Sequence, residues 1–138
     1  RNTVCQELSG VDRCCLVDPM SYPDMVGLIQ TCFMVMTDSG GLQEEAPALG
    51  KPVLVLRRTT ERPEGLCAGT LRLTGVSREG IRKEAGILLS NTEKYRQMAE
   101  STNPYGDGKA SERIVRGILH HFGMIDEKPI DFTQPRTG

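Results

Sequence analysis

The sequence has no C-x-x-C pair, no apolar run long enough for a membrane, and no excess of charge of either sign. It carries 17 Lys and Arg against 18 Asp and Glu, a net charge of −1. A nucleic-acid module or a polybasic membrane anchor needs a strong positive excess, so the balance argues against both. No stretch approaches the ~18 uninterrupted apolar residues of a transmembrane helix. The only histidines, His120 and His121, are adjacent and near the end. A Cys/His zinc site needs ligands converging at motif spacings, and none are present. The pair reads instead as a helix end, with the imidazoles at the negative pole of the dipole. The G-K-[ST] of a P-loop is missing, and no G-x-G-x-x-G follows a strand.

What is present is an ordinary soluble composition in 138 residues: 38% hydrophobic and 25% charged. That length corresponds to one domain at most, able to bury about two-thirds of its unfolded surface. Cys5, Cys14, Cys15, Cys32 and Cys67 are odd in number. They read as free, mostly buried thiols in a reducing cytoplasm. The chain opens on Arg-Asn-Thr with no signal-peptide pattern, and the expectation is that an upstream part precedes it.

Short apolar runs alternate with helical periodicities. Cys14–Val17, Phe33–Thr37, Val53–Leu56 and Thr70–Thr74 are the strand candidates. The third is continuously aliphatic. The fourth alternates, which places it nearer a sheet edge. Between them, Met25, Leu28, Ile29 and Cys32 fall at helical spacing, with Ser21 as N-cap and Pro23 in the first turn. Leu42–Leu49 is a second helix, stopped by Gly50. Ser77 opens a third with the stripe Ile81, Ala85, Leu88 and Leu89, and a short one follows near Glu93–Glu100. The last runs from about Lys109 to Phe122, striped by Ala110, Ile114, Ile118 and Phe122 and ended by Gly123. The tail from Met124 to Gly138 has little periodicity and is expected to be extended or disordered. Met20, Met25, Met34 and Met36 read as core filler. This alternation implies an α/β class: a Rossmann-like parallel sheet covered on both faces in three layers. Ligands in such sheets sit beyond the C-terminal strand ends, beside helix N-termini.

Two segments fall at that edge. In Thr37-Asp38-Ser39-Gly40-Gly41-Leu42-Gln43-Glu44-Glu45 a strand ends, two glycines turn the chain and a helix begins. Glycines admit close backbone approach, and the helix start offers free N–H groups and positive dipole, which suits a phosphate. A plain turn capped by Ser39, with Glu44 and Glu45 favourable in a first turn, explains the same residues. Arg57–Glu64 follows the third strand. Arg62 is a fixed fork for phosphate or sugar oxygens, and Pro63 suits a first helical position, with Thr59 or Thr60 as cap. A solvated charged loop is the competing reading. A third segment, Asn103-Pro104-Tyr105-Gly106-Asp107-Gly108-Lys109, sets turn formers around one aromatic before the last helix.

Together, TDSGGLQEEAPALGKPVLVLRRTTERPE and NPYGDGKASERIV resemble the C-terminal half of the non-hydrolysing UDP-N-acetylglucosamine 2-epimerases, from about Arg1 to Leu119. The resemblance implies the glycosyltransferase-B architecture of two Rossmann-like domains with the site in the cleft. Residues 1–108 would be part of the C-terminal nucleotide-sugar-binding domain. Residues 109–123 would be the helix that crosses back to the N-terminal domain, and 124–138 the tail. It assigns Ser39, Gly40 and Gly41 to the UDP diphosphate, Glu45 to the ribose hydroxyls, and Arg62 to the ligand. Met25 stands where the family usually has an aromatic near the uracil, and Met20 at another uridine-side position. The implied reaction interconverts UDP-N-acetylglucosamine and UDP-N-acetylmannosamine. UDP is eliminated to a bound 2-acetamidoglucal and re-added after reprotonation at C2 from the other face. No metal or nicotinamide cofactor is implied. The acidic catalytic residues and the catalytic-site histidine belong upstream of Arg1, so no catalytic residue is assigned to this chain, and it alone is expected not to epimerise. The implied setting is a cytoplasmic homodimer serving surface polysaccharide synthesis. The implied partners are a UDP-sugar and the N-terminal domain, with no nucleic acid or membrane.

Three alternatives stay open. A hydrolysing epimerase would release free N-acetylmannosamine, and an N-S-S-x-G-like turn would be expected in place of Asp38-Ser39-Gly40-Gly41. Another glycosyltransferase-B enzyme would share the sheet but not this pair of motifs. A non-catalytic nucleotide-sugar-binding module would have an open reading frame starting close to Arg1.

Overall fold

Strands buried on both faces need apolar side chains at every position, whereas helices over them need only a stripe. The computed structural model, which describes residues 2–132 (of Asn2 the backbone alone), follows that division. The elements in chain order are α1 (Asn2–Leu8), α2 (Tyr22–Thr31), β1 (Val35–Thr37), α3 (Gly40–Ala48), β2 (Val53–Val55), α4 (Pro63–Ala68), β3 (Leu71–Leu73), α5 (Arg78–Ser90), α6 (Thr92–Ala99) and α7 (Ala110–His121). The strands form a parallel sheet in the order β1-β2-β3. The aliphatic run is the central strand, buried throughout, and the alternating fourth run lies at an edge.

Alternation of side chains across β2 splits the core in two. Val53 and Val55 join Ile29, Ala46 and Leu71 on one face, under α2, α3 and α4. Leu54 joins Leu88 and Met98 on the other, under α5 and α6. This is the expected three-layer arrangement. Ser21 caps α2 and Ser77 caps α5, each accepting a backbone N–H three residues on. Because the strands run in register, Thr37 of β1 lies opposite Val55 of β2, which lies opposite Leu73 of β3. Leu56 N–H donates to the Thr37 carbonyl at 2.9 Å, so the turn after β1 and the loop after β2 leave the sheet side by side.

Four expectations are corrected. Cys14–Val17 is not a strand: the segment pairs with none of the three strands, and Leu16 and Val17 are exposed. A strand exists only through a ladder partner, and this run has none among the described residues. The cysteines are free but none is buried: Cys5, Cys15 and Cys67 are exposed, Cys14 and Cys32 half-buried. Cys32 and Cys67 lie near Ile29 and Leu66, which pack in the first core cluster, but no cysteine belongs to either cluster. α4 is not capped by Thr59 or Thr60; Arg62 holds the N-cap position without a side-chain cap bond. The Thr60 hydroxyl bonds elsewhere, as described below. α3 starts two residues earlier than its apolar pattern, because Gly40 and Gly41 are already helical. The sequence reading also missed α1, which is exposed along its described length.

Beyond α7, Gly123 at φ +67° reverses the chain. Glu127 then pairs with Arg116 at 2.6 Å, and Phe132 lies 5.7 Å from the Arg113 guanidinium. Residues 124–132 thus run back along α7 as irregular backbone. The rest of the expected tail, 133–138, lies outside the described residues.

Candidate functional site

The site is built where β1 and β2 end. Thr37 closes β1, and its buried hydroxyl accepts the Ser39 N–H at 3.0 Å, which turns the chain into α3. Ser39 occupies the N-cap position, yet its side chain makes no cap hydrogen bond. The capped-turn explanation therefore fails at its main contact. The hydroxyl stands beside the helix N-terminus without serving the helix. A Cβ placed on Gly41 would lie 4.0 Å from Ser39 Oγ and 3.6 Å from Glu45 Oε1. Ser39, Gly41 and Glu45 therefore share one side of the first turns of α3.

Gly40 faces the neighbouring loop. A Cβ there would come within 2.7 Å of Glu61 Oε1 and 3.8 Å of Arg62 Nη2, so a side chain at this position would displace the Glu61 carboxylate. Arg62 Nε donates to Glu44 Oε1, and Arg62 Nη1 donates to the Glu61 carbonyl at 3.4 Å. Nη2 enters neither bond and lies over Gly40. The Glu44 hydrogen bond is the chief reason the Arg62 guanidinium titrates above its ordinary range. Glu61 pairs with Arg57 at 2.6 Å. Its carboxyl is held below the ordinary range, first by a hydrogen bond to its own backbone and then by the charges of Arg57 and Arg62.

The third motif borders the same place. Pro104 is buried, and Asn103 Oδ1 accepts the Tyr105 N–H at 3.2 Å. Asp107 takes both arms of Arg113 at 2.7 Å and the Lys109 N–H at 3.1 Å. The Arg113 bonds hold the Asp107 carboxyl far below the usual carboxylate range. Tyr105 is pushed up, mainly by burial and then by the carboxylates of Glu64 and Glu44. A pocket of about 560 Å³ opens between α3, this loop and α7, lined among others by Glu45, Tyr105, Asp107 and Ile114.

The structure therefore brings Ser39, Gly40, Gly41, Glu45 and Arg62 to one strand-end cluster. It places Met25 on α2, packed against the core beside β2, and Met20 half-buried in the segment before α2. The hydrogen bonds and ion pairs joining α3 to the β2–α4 loop involve neither methionine. His120 and His121 close α7 as expected. Among the described residues no group of three or more His, Cys, Asp and Glu side chains is placed to hold a metal ion, and no helix is long and apolar enough to cross a membrane. Sequence reasoning missed Gln43, Glu44 and Thr60 as parts of the site. Gln43 left a trace: it shares the buried face of α3 with Ala46 and Pro47, at i, i+3 and i+4, where an apolar residue is the norm. Chemically, the cluster offers a helix N-terminus, an uncommitted hydroxyl, a guanidinium arm and a carboxylate. That set suits a phosphorylated ligand with a diol.

Residues 1–119 match the UDP-N-acetylglucosamine 2-epimerase family. A UDP-N-acetylglucosamine 2-epimerase of Bacillus subtilis is 51% identical over 122 residues, 88% of this chain and 32% of that protein. A structure described as an S. aureus MnaA-UDP co-structure superposes with a TM-score of 0.89 at 46% identity, covering 96% of this chain and 36% of the other. A UDP-GlcNAc 2-epimerase from Neisseria meningitidis bound to UDP-GlcNAc superposes with a TM-score of 0.83 at 45% identity, covering 86% of this chain and 32% of the other. The chain spans about a third of the length of the curated relatives it matches.

Proposed function

The chain belongs to the UDP-N-acetylglucosamine 2-epimerase family, and we propose that it is the UDP-binding portion of an enzyme interconverting UDP-N-acetylglucosamine and UDP-N-acetylmannosamine. The observation that carries this reading is the Ser39 hydroxyl left out of helix capping, with Gly41 lying between it and the Glu45 carboxylate. Ser39, Gly40 and Gly41 receive the diphosphate at the α3 N-terminus, with Arg62 Nη2 alongside. Glu45 accepts the ribose hydroxyls. Met25 and Met20 contribute on the uridine side. The relatives solved with UDP and UDP-GlcNAc support this class of ligand.

The proposed reaction breaks the C1–O bond to UDP as the C2 proton is removed, leaving a 2-acetamidoglucal. Reprotonation at C2 on the opposite face, with UDP oxygen returning to C1, completes the inversion. The negative charge that develops on the departing diphosphate is what a helix N-terminus and a guanidinium stabilise. This chain would thus hold the leaving group, while acid–base groups on an N-terminal domain move the proton. The exposed apolar face of α7 supports such a partner domain: Ile114, Ile118 and Phe122 are 61%, 52% and 71% exposed. We place the enzyme in the cytoplasm as a homodimer supplying N-acetylmannosamine units for surface polysaccharides.

Titration calorimetry tests the site. Ser39→Ala and Glu45→Ala each weaken UDP binding by about tenfold, the scale of a lost charge-assisted hydrogen bond. Unchanged UDP affinity in both variants would remove the assignment. Release of free N-acetylmannosamine from the sugar nucleotide would mark a hydrolysing enzyme instead.

A further inference from the structure

The two ligand-binding segments are joined by a hydrogen-bonded chain that no apolar packing requires. Gln43 is fully buried. Its Nε2 donates to the Ser39 carbonyl at 3.2 Å, which fixes its Oε1 as the acceptor on the other side. Thr60 Oγ1 donates to that Oε1. The same Thr60 oxygen accepts the Arg62 N–H at 3.1 Å. Every polar contact of the amide and the hydroxyl thus has one direction, from the Arg62 backbone through Thr60 and Gln43 to the Ser39 backbone. The chain ends on the two residues that flank the α3 N-terminus from different loops. A buried amide is costly unless its bonds are made, whereas Leu or Met would fill the same space on the face shared with Ala46 and Pro47 at no such cost. What the amide adds is a defined separation and angle between the two backbones.

We propose that Gln43 and Thr60 are positioning residues, whose hydrogen bond locks the Ser39 turn and the Arg62 loop into one rigid receptor for the diphosphate. The inference rests on the ligand reading above but concerns residues that touch no ligand in it. A receptor set in advance binds without the entropic cost of ordering two loops. Because the chain governs only the phosphate end, its loss should discriminate between ligands that differ in phosphate number.

The test compares UDP with UMP by calorimetry on the protein that carries this chain, at its natural length. Thr60→Val keeps the shape and removes the hydroxyl. It should lower UDP affinity by about tenfold, one net hydrogen bond, and UMP affinity by clearly less, so that the UDP-to-UMP affinity ratio falls. Thr60→Ser restores the hydroxyl and should restore the ratio. Gln43→Met should act as Thr60→Val does, and the double variant should be no worse than the worse single, since both cut one chain. A substitution that merely destabilises the fold weakens both ligands by a common factor and leaves the ratio alone. An unchanged ratio in folded Thr60→Val, or a serine variant as impaired as valine, overturns the proposal. Should Gln43→Met not fold, the Thr60 pair decides by itself. If Ser39→Ala and Glu45→Ala leave UDP binding intact, the ligand reading falls and this inference with it. If they weaken binding while Thr60→Val keeps the ratio, the inference alone falls.

Discussion

Gly65 of α4 is buried against Leu71 of β3 and Tyr105, and a Cβ there would collide with the Leu71 side chain and the Tyr105 hydroxyl. Alanine is the better helix former, but overpacking a filled core costs about 1–3 kcal/mol. Gly65→Ala should therefore lower the melting temperature despite its propensity; a rise would contradict this packing. Asp107 makes a second residue-scale prediction. Its carboxyl titrates well below the ordinary aspartate value of about 3.9 because Arg113 binds its charged form. A depressed folded pKa contributes stability that is present above the unfolded pKa and lost as pH falls toward the folded one. Carbon chemical shifts should accordingly show Asp107 still ionised at about pH 3, where an unperturbed aspartate is mostly protonated. Asp107→Asn should flatten the stability–pH curve below about pH 4. A normal Asp107 midpoint near 4 would show that the Arg113 fork does not form in solution. Neither residue was legible in this role beforehand: Gly65 carried no signal of its own, and Asp107 read only as a turn former. Tyr105 reaches Gly65 from forty residues on, and Arg113, though only six residues from Asp107, meets it only because the loop turns back on the first turn of α7.

Among the elements, α7 carries the strongest amphipathic stripe, and the structure leaves it largely exposed. Its spacing of four marks an apolar face, yet no described residue of α7 is buried. Helical period reports that a face is apolar, not what covers it. If another domain covers it, Ile118→Glu leaves the melting temperature of the 138-residue chain nearly unchanged but destabilises the longer protein, by about 2 kcal/mol or more for a buried charge. Equal effects in both would argue against that covering. The strands show the reverse case. Val53–Val55 was legible because a central parallel strand is apolar at every position. Cys14–Val17 has the same local pattern but no ladder partner, and pairing is not written in a single segment.

For the molecule as a whole, the prediction is that the 138-residue chain binds UDP weakly and turns over no UDP-N-acetylglucosamine. Turnover near that of a full-length family member, followed by product analysis, would contradict the division of labour between leaving-group binding and proton transfer. Alternation of apolar runs with helical stripes was enough to determine the α/β class, three of the four strand candidates, the caps at Ser21 and Ser77, and the two loops at the C-terminal edge of the sheet. These are local properties, set by backbone propensity and periodicity within a dozen residues. What only the tertiary structure decided is which side chains meet across that edge. Parallel register brings Thr37 level with Val55 and so sets the Ser39 turn beside the Arg62 loop. Gln43, Glu44 and Thr60 become a frame for the site only through that adjacency, since each bonds a residue of the other loop. The freedom of the Ser39 hydroxyl was equally out of reach from sequence, because an N-cap serine and a ligand-binding serine have the same neighbours in the chain and differ only in where the oxygen points.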